Sequence, residues 1–433
     1  MAPTGSVSLG DERAPVMIRP GASFWRKMLA FSGPGYLVAV GYMDPGNWAT
    51  DLAGGSQFGY QLLFVVLASS AFAMVLQYLA IKLGIATGRD LAQMTREQLP
   101  RPVALVFWLM AEIMIVACDL AEVIGTAIAL NLLFHIPLAV GVIVTAADVL
   151  VLLLLQNRGV RYLEALIIVL ILTVLACFGL EIWFARPEMA AVVGGLWPSV
   201  SVFSRTDMLY IAVGILGATV MPHNLYLHSA VVRTRGIGPT AADKREAIRF
   251  AAVDSTVALT LAFLVNAAIL VLAAATFYAT GHGAIAEIGQ AYQLLSPLLG
   301  VAAASTLFAV ALLASGQNST ITGTLAGQVI MEGFLHVRLR PWIRRLLTRG
   351  LAIIPAIIVI LAFGGTGLAR LLVLSQVILS MQLSFAMWPL VIFTSRRRIV
   401  GVFVNSWPLR LTAGGIALVI SSLNVWLVFR VLG

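Results

Sequence analysis

Apolar runs long enough to cross a bilayer dominate this sequence and leave it few ways to fold. A hydrocarbon core of roughly 30 Å is crossed by about 20 helical residues, and about eleven stretches serve that purpose. They cover approximately residues 30–57, 60–86, 103–134, 137–156, 163–184, 209–232, 250–278, 293–335, 350–364, 367–393 and 411–432. Lipid offers peptide groups no hydrogen-bond partner, so each stretch must satisfy its own backbone. The pattern predicts an all-α integral membrane protein. With 60% apolar and 11% charged residues, there is too little polar surface to cover a soluble particle.

The net charge of +9 raises the possibility of nucleic-acid binding, but the basic residues are sorted by membrane side. With the N-terminus inside, the 28 Lys and Arg fall in the tail or in inward connections, except Arg186, Arg205, Arg370 and Arg430 outside and Lys82 within a span. This asymmetry predicts a cytoplasmic N-terminus and, with an odd number of spans, an external C-terminus. Nucleic acid is not needed to explain the charge. Residues 1–25 lack the apolar core of a signal peptide and read as a flexible cytoplasmic tail. Cys118 and Cys177 lie within apolar spans and read as small core residues, and the sequon at Asn318 is also intramembrane. Residues 26–433 then form one transmembrane domain.

Two spans carry matched interruptions, Asp44-Pro45-Gly46-Asn47 and Met221-Pro222-His223-Asn224. Each proline removes a backbone donor at mid-span, and each asparagine puts an amide where lipid demands apolar groups. The breaks fall in the first and sixth spans, which predicts two five-helix units: residues 26–184 and 205–393, with 411–432 as an additional helix. An odd number of spans per unit inverts one copy relative to the other. Discontinuous helices in such inverted repeats form a midplane site.

An intramembrane carboxylate at Asp44 costs several kcal/mol unless it is paired, hydrated or metal-bound. It either caps the second half-helix or binds a cation with Asn47 and with carbonyls freed by the break, such as that of Gly41. Met221 narrows the cation. A thioether contributes little to Mg²⁺ or Ca²⁺ and more to Mn²⁺, Fe²⁺ and later transition metals, although a methionine in a span is also an ordinary packing residue.

His223 and His228 are five residues apart, roughly 140° around a helix, which rules out a zincin-like pairing. His223 is placed either to carry a proton or to support the broken segment. Glu112, Asp119 and Glu122 lie within an arc of roughly 80° on one face of the third span. They form either a proton relay or a structural network with inward arginines such as Arg344 and Arg345. Gln376, a lone amide in the tenth span, is placed to supply a further oxygen ligand or to bond a neighbouring helix. Gly323 and Gly327 predict close helix packing. No nucleotide-binding loop or nucleophile elbow appears, so neither an enzyme nor ATP coupling is expected.

Gly41-Tyr42-Met43-Asp44-Pro45-Gly46-Asn47 and the segment from Gly217 to Ser229 resemble the two signature segments of the Nramp family of proton-coupled divalent transition-metal importers. The resemblance extends through Asp119-Leu120-Ala121-Glu122, Ala314-Ser315-Gly316-Gln317 and Leu374-Ser375-Gln376-Val377. It implies a leucine-transporter-like fold. It further implies that Asp44, Asn47 and Met221 bind metal, that Ala218 and Gly41 offer carbonyls, and that Gln376 joins in occluded states. Proton handling carries over to His223, Asp119 and Glu122, with Arg344 and Arg345 near the inner exit. Gly41 departs from the alanine expected in many relatives.

The expected function is import of Mn²⁺, with Fe²⁺ and related divalent metals, by proton symport with alternating access across the cell (inner) membrane. Metal and protons are substrates, and no cofactor is expected. A sodium-coupled amino-acid symporter of the same architecture would gain nothing from Met221, and a passive channel would need no occlusion.

Overall fold

The computed structural model describes residues 16–17, 23–147, 160–281, 285, 287–337, 341–363 and 366–432. Its helices are α1 (Phe24–Phe31), α2 (Pro34–Ala39), α3 (Pro45–Phe58), α4 (Leu63–Thr87), α5 (Leu91–Gln98), α6 (Arg101–Phe134), α7 (Leu138–Val144) and α8 (Val160–Ala185). After the short α9 (Met189–Gly194) and α10 (Ser201–Ser204) come α11 (Thr206–Thr219), α12 (Pro222–Val231), α13 (Ala241–Ala273) and α14 (Ile288–Leu299). The chain closes with α15 (Ala304–Leu335), α16 (Pro341–Phe363), α17 (Thr366–Thr394), α18 (Arg397–Val400) and α19 (Trp407–Leu432). Among the described residues, 8 helical runs are long and apolar enough to cross a membrane. The later part of the expected fourth span, residues 148–156 of 137–156, lies outside the described residues.

Three boundaries differ from the hydropathy pattern. The first stretch divides into α2, a 3-10 turn (Val40–Met43) and α3. The stretch 293–335 is interrupted at Gly300, whose φ of 66° closes α14 before α15 begins. The ninth span starts at Pro341 and so carries Arg344, Arg345 and Arg349 on the helix itself, not in a preceding connection. Hydropathy misses that start because the arginines mask it. A helix accepts them where their charges meet acids on a neighbour.

The core runs through the bundle centre, where α6 and α15 pack together and α13 packs on α2, α3 and α4. Trp48 of α3 is fully buried against Phe178 of α8 and Phe308 of α15, at ring separations of 4.8 and 5.1 Å. α15 carries a polar segment at its middle, and Ser315, Asn318, Ser319, Thr320, Thr322 and Thr324 are all buried. Such a helix belongs inside a bundle and not against lipid.

One end of the bundle is fastened by charge. Arg235 Nη2 meets Glu164 Oε1 of α8 at 2.6 Å and donates to the Ser32 carbonyl at 2.9 Å. Asp254 of α13 accepts from the Gly35 amide at 2.7 Å, satisfying the open start of α2. Val16–Met17 (β1) pairs in parallel with Arg235–Gly236 (β2).

A candidate cation site at the crossing of two broken helices

Both breaks follow the same local logic. Asp44 is extended (φ −67°, ψ 165°) and Pro45 takes the first helical position of α3. Met221 is extended (φ −73°, ψ 118°) and Pro222 opens α12. Proline is favoured at that position because its missing N–H would have no intrahelical partner there. Asp44 Oδ1 accepts from the Asn47 amide at 2.8 Å as an N-cap, whereas Met221 makes no side-chain cap.

The carbonyls released at the first break are partly claimed by the surrounding helices. Asn266 Nδ2 donates to the Tyr42 carbonyl at 2.8 Å, and Trp48 Nε1 donates to that of Met43 at 3.2 Å, which also accepts from the Ser315 hydroxyl. The break is therefore held open by fixed partners. What remains unmatched is informative: Asp44 Oδ2, both amide atoms of Asn47 and Gln376 Oε1 are buried with no protein hydrogen-bond partner. Buried polar groups are almost always bonded, so unmatched groups at this break, with Gln376 lying against Gly46, leave room for a ligand to complete them.

Span ten ties the two breaks together. A Cβ on Gly46 would overlap the Gln376 carboxamide, and a Cβ on Gly217 would lie 2.6 Å from the Ser380 Cβ and overlap the Gln376 carbonyl. Gln376 thus sits against α3 and α11 at once. Ala218 and Met221 are fully buried on the second break, and Gly41 is packed against Asn224. A carboxylate, amide oxygens and a thioether are donor types that together suit a borderline divalent cation. No group of three or more His, Cys, Asp and Glu placed to hold a metal ion by themselves occurs among the described residues.

Two acids of α6, Glu112 and Glu122, form a ladder with arginines of α16. Arg344 Nη2 bridges Glu112 at 3.1 and 2.9 Å, and Arg349 Nη1 lies 3.4 Å from Glu122 Oε2. Arg349 also donates to Thr320 Oγ1 at 3.0 Å and lies within reach of the Asp119 carbonyl. The arginine opposite Glu122 is thus Arg349, which the sequence reading did not single out. Its signal was available: Arg349 follows Arg345 by four residues, one helical turn. The Arg345 side chain lies outside the described residues.

Gly323 and Gly327 make room for this ladder. A Cβ at Gly323 would lie 2.6 Å from Glu122 Oε1, and one at Gly327 would lie 2.9 Å from the Arg344 guanidinium. The small residues admit charged side chains, rather than simply letting two backbones approach.

His223 is buried at the opening of α12, with Nε2 3.8 Å from Cys118 Sγ, which is 3.6 Å from Glu122 Oε1. Cys118 therefore bridges the second break and the acid ladder, a position that its apolar sequence context hid. His228 faces elsewhere. Its Nδ1 lies 2.8 Å from Gln77 Oε1, and Gln77 Nε2 donates to the Tyr42 hydroxyl at 2.6 Å.

The comparisons with known proteins agree with this architecture. The model of the family "Natural resistance-associated macrophage protein-like", Nramp, matches residues 35–430. The chain is 57% identical over 428 residues to a divalent metal cation transporter MntH from Nostoc sp., covering 99% of this chain and 97% of the relative. The structure is similar to that of a manganese transporter from Eremococcus coleocola, with a TM-score of 0.90 and 42% identity over 96% of this chain and 90% of the other. Mhp1, a nucleobase-cation-symport-1 family transporter, shares the fold at a TM-score of 0.60 and 17% identity, covering 92% of this chain and 93% of its own. Its likeness extends the inverted-repeat fold beyond close relatives. With the family model covering most of its length and identity to a curated relative above one half, this chain belongs to the Nramp family.

Proposed function

We propose that this protein imports Mn²⁺, with Fe²⁺ and related transition divalents as further substrates, by proton symport with alternating access. The observation that carries the reading is the set of buried, unbonded donors at the first break, Asp44 Oδ2, the Asn47 carboxamide and Gln376 Oε1, beside a second break that carries Met221. The names of its relatives, a divalent metal cation transporter and a manganese transporter, support the same substrate class.

The cation would be held by Asp44, Asn47, Met221 and Gln376, with carbonyl oxygens from Ala218 and Gly41. A divalent charge favours the ionised form of Asp44, so metal binding releases a proton if that carboxyl was neutral. The accepting route runs from His223 past Cys118 to Glu122 and Asp119, and along the ladder to Glu112 with Arg344, Arg345 and Arg349. The sorting of basic residues supports a cytoplasmic N-terminus and an external C-terminus.

Uptake into liposomes by the purified protein tests this reading, comparing Mn²⁺, Fe²⁺, Mg²⁺ and Ca²⁺ with and without an inward proton gradient. Saturable Mn²⁺ uptake accelerated by the gradient is expected. Equal transport of Mg²⁺ and Mn²⁺ would sink the argument from the thioether, competition by amino acids would favour a different symporter, and unsaturable uptake insensitive to pH would indicate a channel.

A further inference from the structure

We propose that Asn224 is a specificity-determining residue of the cation site, and that the absence of a Cβ at residue 41 is what lets its carboxamide reach across from the second break to the first. The proposal rests on the reading of the two breaks as a cation site.

Asn224 is fully buried, and neither its Oδ1 nor its Nδ2 has a hydrogen-bond partner in the protein. A buried amide with both ends unmatched is costly unless a ligand completes it. Its position argues for the same cation. A Cβ on Gly41 would overlap the Asn224 carboxamide, so the amide lies directly over the 3-10 turn Val40–Met43 that precedes Asp44. Asn224 also stands three residues after Met221, as Asn47 stands three after Asp44. Each half-helix therefore offers one asparagine in its first turn, and both carboxamides are orphaned.

The chemistry of an amide oxygen predicts which cations it favours. It strengthens the hard side of a mixed donor set, so it helps Mn²⁺ more than Cd²⁺, which draws more of its binding from the thioether. Alanine at residue 41 would push the carboxamide off the turn and mimic its loss.

Competitive uptake of Mn²⁺ and Cd²⁺ in liposomes, with titration of each metal alone into detergent-purified protein, tests the proposal. Asn224→Ala is expected to weaken Mn²⁺ roughly 10- to 100-fold and Cd²⁺ much less. Gly41→Ala should shift the ratio in the same direction, and the double variant should be no worse than Asn224→Ala, because the two changes remove one interaction. Asn224→Asp, which keeps an oxygen, should retain Mn²⁺ binding. A Mn²⁺/Cd²⁺ ratio unchanged in Asn224→Ala, or fully additive effects in the double variant, overturns the proposal. Should Asn224→Ala not fold, an unchanged ratio in Gly41→Ala together with lost Mn²⁺ binding in Asn224→Asp overturns it equally. Failure of the underlying reading is separable, since Asp44→Ala would then bind Mn²⁺ like the parent protein.

Discussion

Arg349 and Glu122 face each other at 3.4 Å in the centre of the bundle, and neither side chain is exposed. The pair joins the ninth span to the third, beside the Cys118 thiol that leads to His223. An ion pair without solvent is held by geometry, because each charge is expensive without its partner.

Removing one partner should therefore cost more than removing both. Arg349→Ala is expected to destabilise the folded protein by about 3–5 kcal/mol, and Arg349→Ala with Glu122→Gln by clearly less. Thermal melts of the detergent-purified variants measure this. Additive losses would show that the two residues do not act as a pair.

The proposed metal donors should separate by hardness. Asp44→Ala is expected to abolish Mn²⁺ uptake and binding, whereas Met221→Ala keeps part of the Mn²⁺ transport and loses discrimination against Ca²⁺ or Mg²⁺ by about tenfold, near 1.4 kcal/mol. Competition uptake reads both. Undiminished exclusion of Mg²⁺ in Met221→Ala would leave the sulfur as a packing group.

Gly323 has no room for a larger residue. Gly323→Ala places a methyl group 2.6 Å from Glu122 Oε1, so the carboxylate must move away from its present position. A loss of about 1–3 kcal/mol is expected, together with a shift in the pH profile of uptake relative to the parent. A variant with parental stability and profile would place the carboxylate elsewhere in the working protein.

Asp90, between α4 and α5, supplies a pH signature outside the spans. Its carboxyl is pushed up to about 6 by burial, against the opposing pull of the Gln93 amide and the Arg233 guanidinium 3.6 Å away. The folded state thus prefers the neutral form. Its stabilisation is complete below the ordinary carboxylate range and is lost as pH rises through about 6, amounting to no more than about 3 kcal/mol. Asp90→Asn, which cannot ionise, should flatten the fall in melting temperature between roughly pH 4 and 6. Parallel melting curves for the two proteins across that interval would remove Asp90 as the cause.

Much of the candidate site was legible because its signals are local. Proline at mid-span, a carboxylate among apolar residues and a methionine before the second proline each break a rule of the lipid environment, and such violations show in sequence. Arg349 was not legible in the same way, since hydropathy placed the ninth span after it. Asn224 was visible only as part of a motif, and its unmatched amide appears only when its neighbours are known.

The sequence alone determined that the chain spans a membrane, where it breaks and which donors the breaks carry, because lipid penalises each polar residue according to its immediate context. Tertiary structure alone decided which distant groups meet: Gln376 against Gly46 and Gly217, Arg349 with Glu122, Cys118 between His223 and Glu122, and Asn224 over Gly41. Those meetings depend on how helices pack across the bundle, and helix packing is fixed by the shapes of many side chains together, which no local pattern contains.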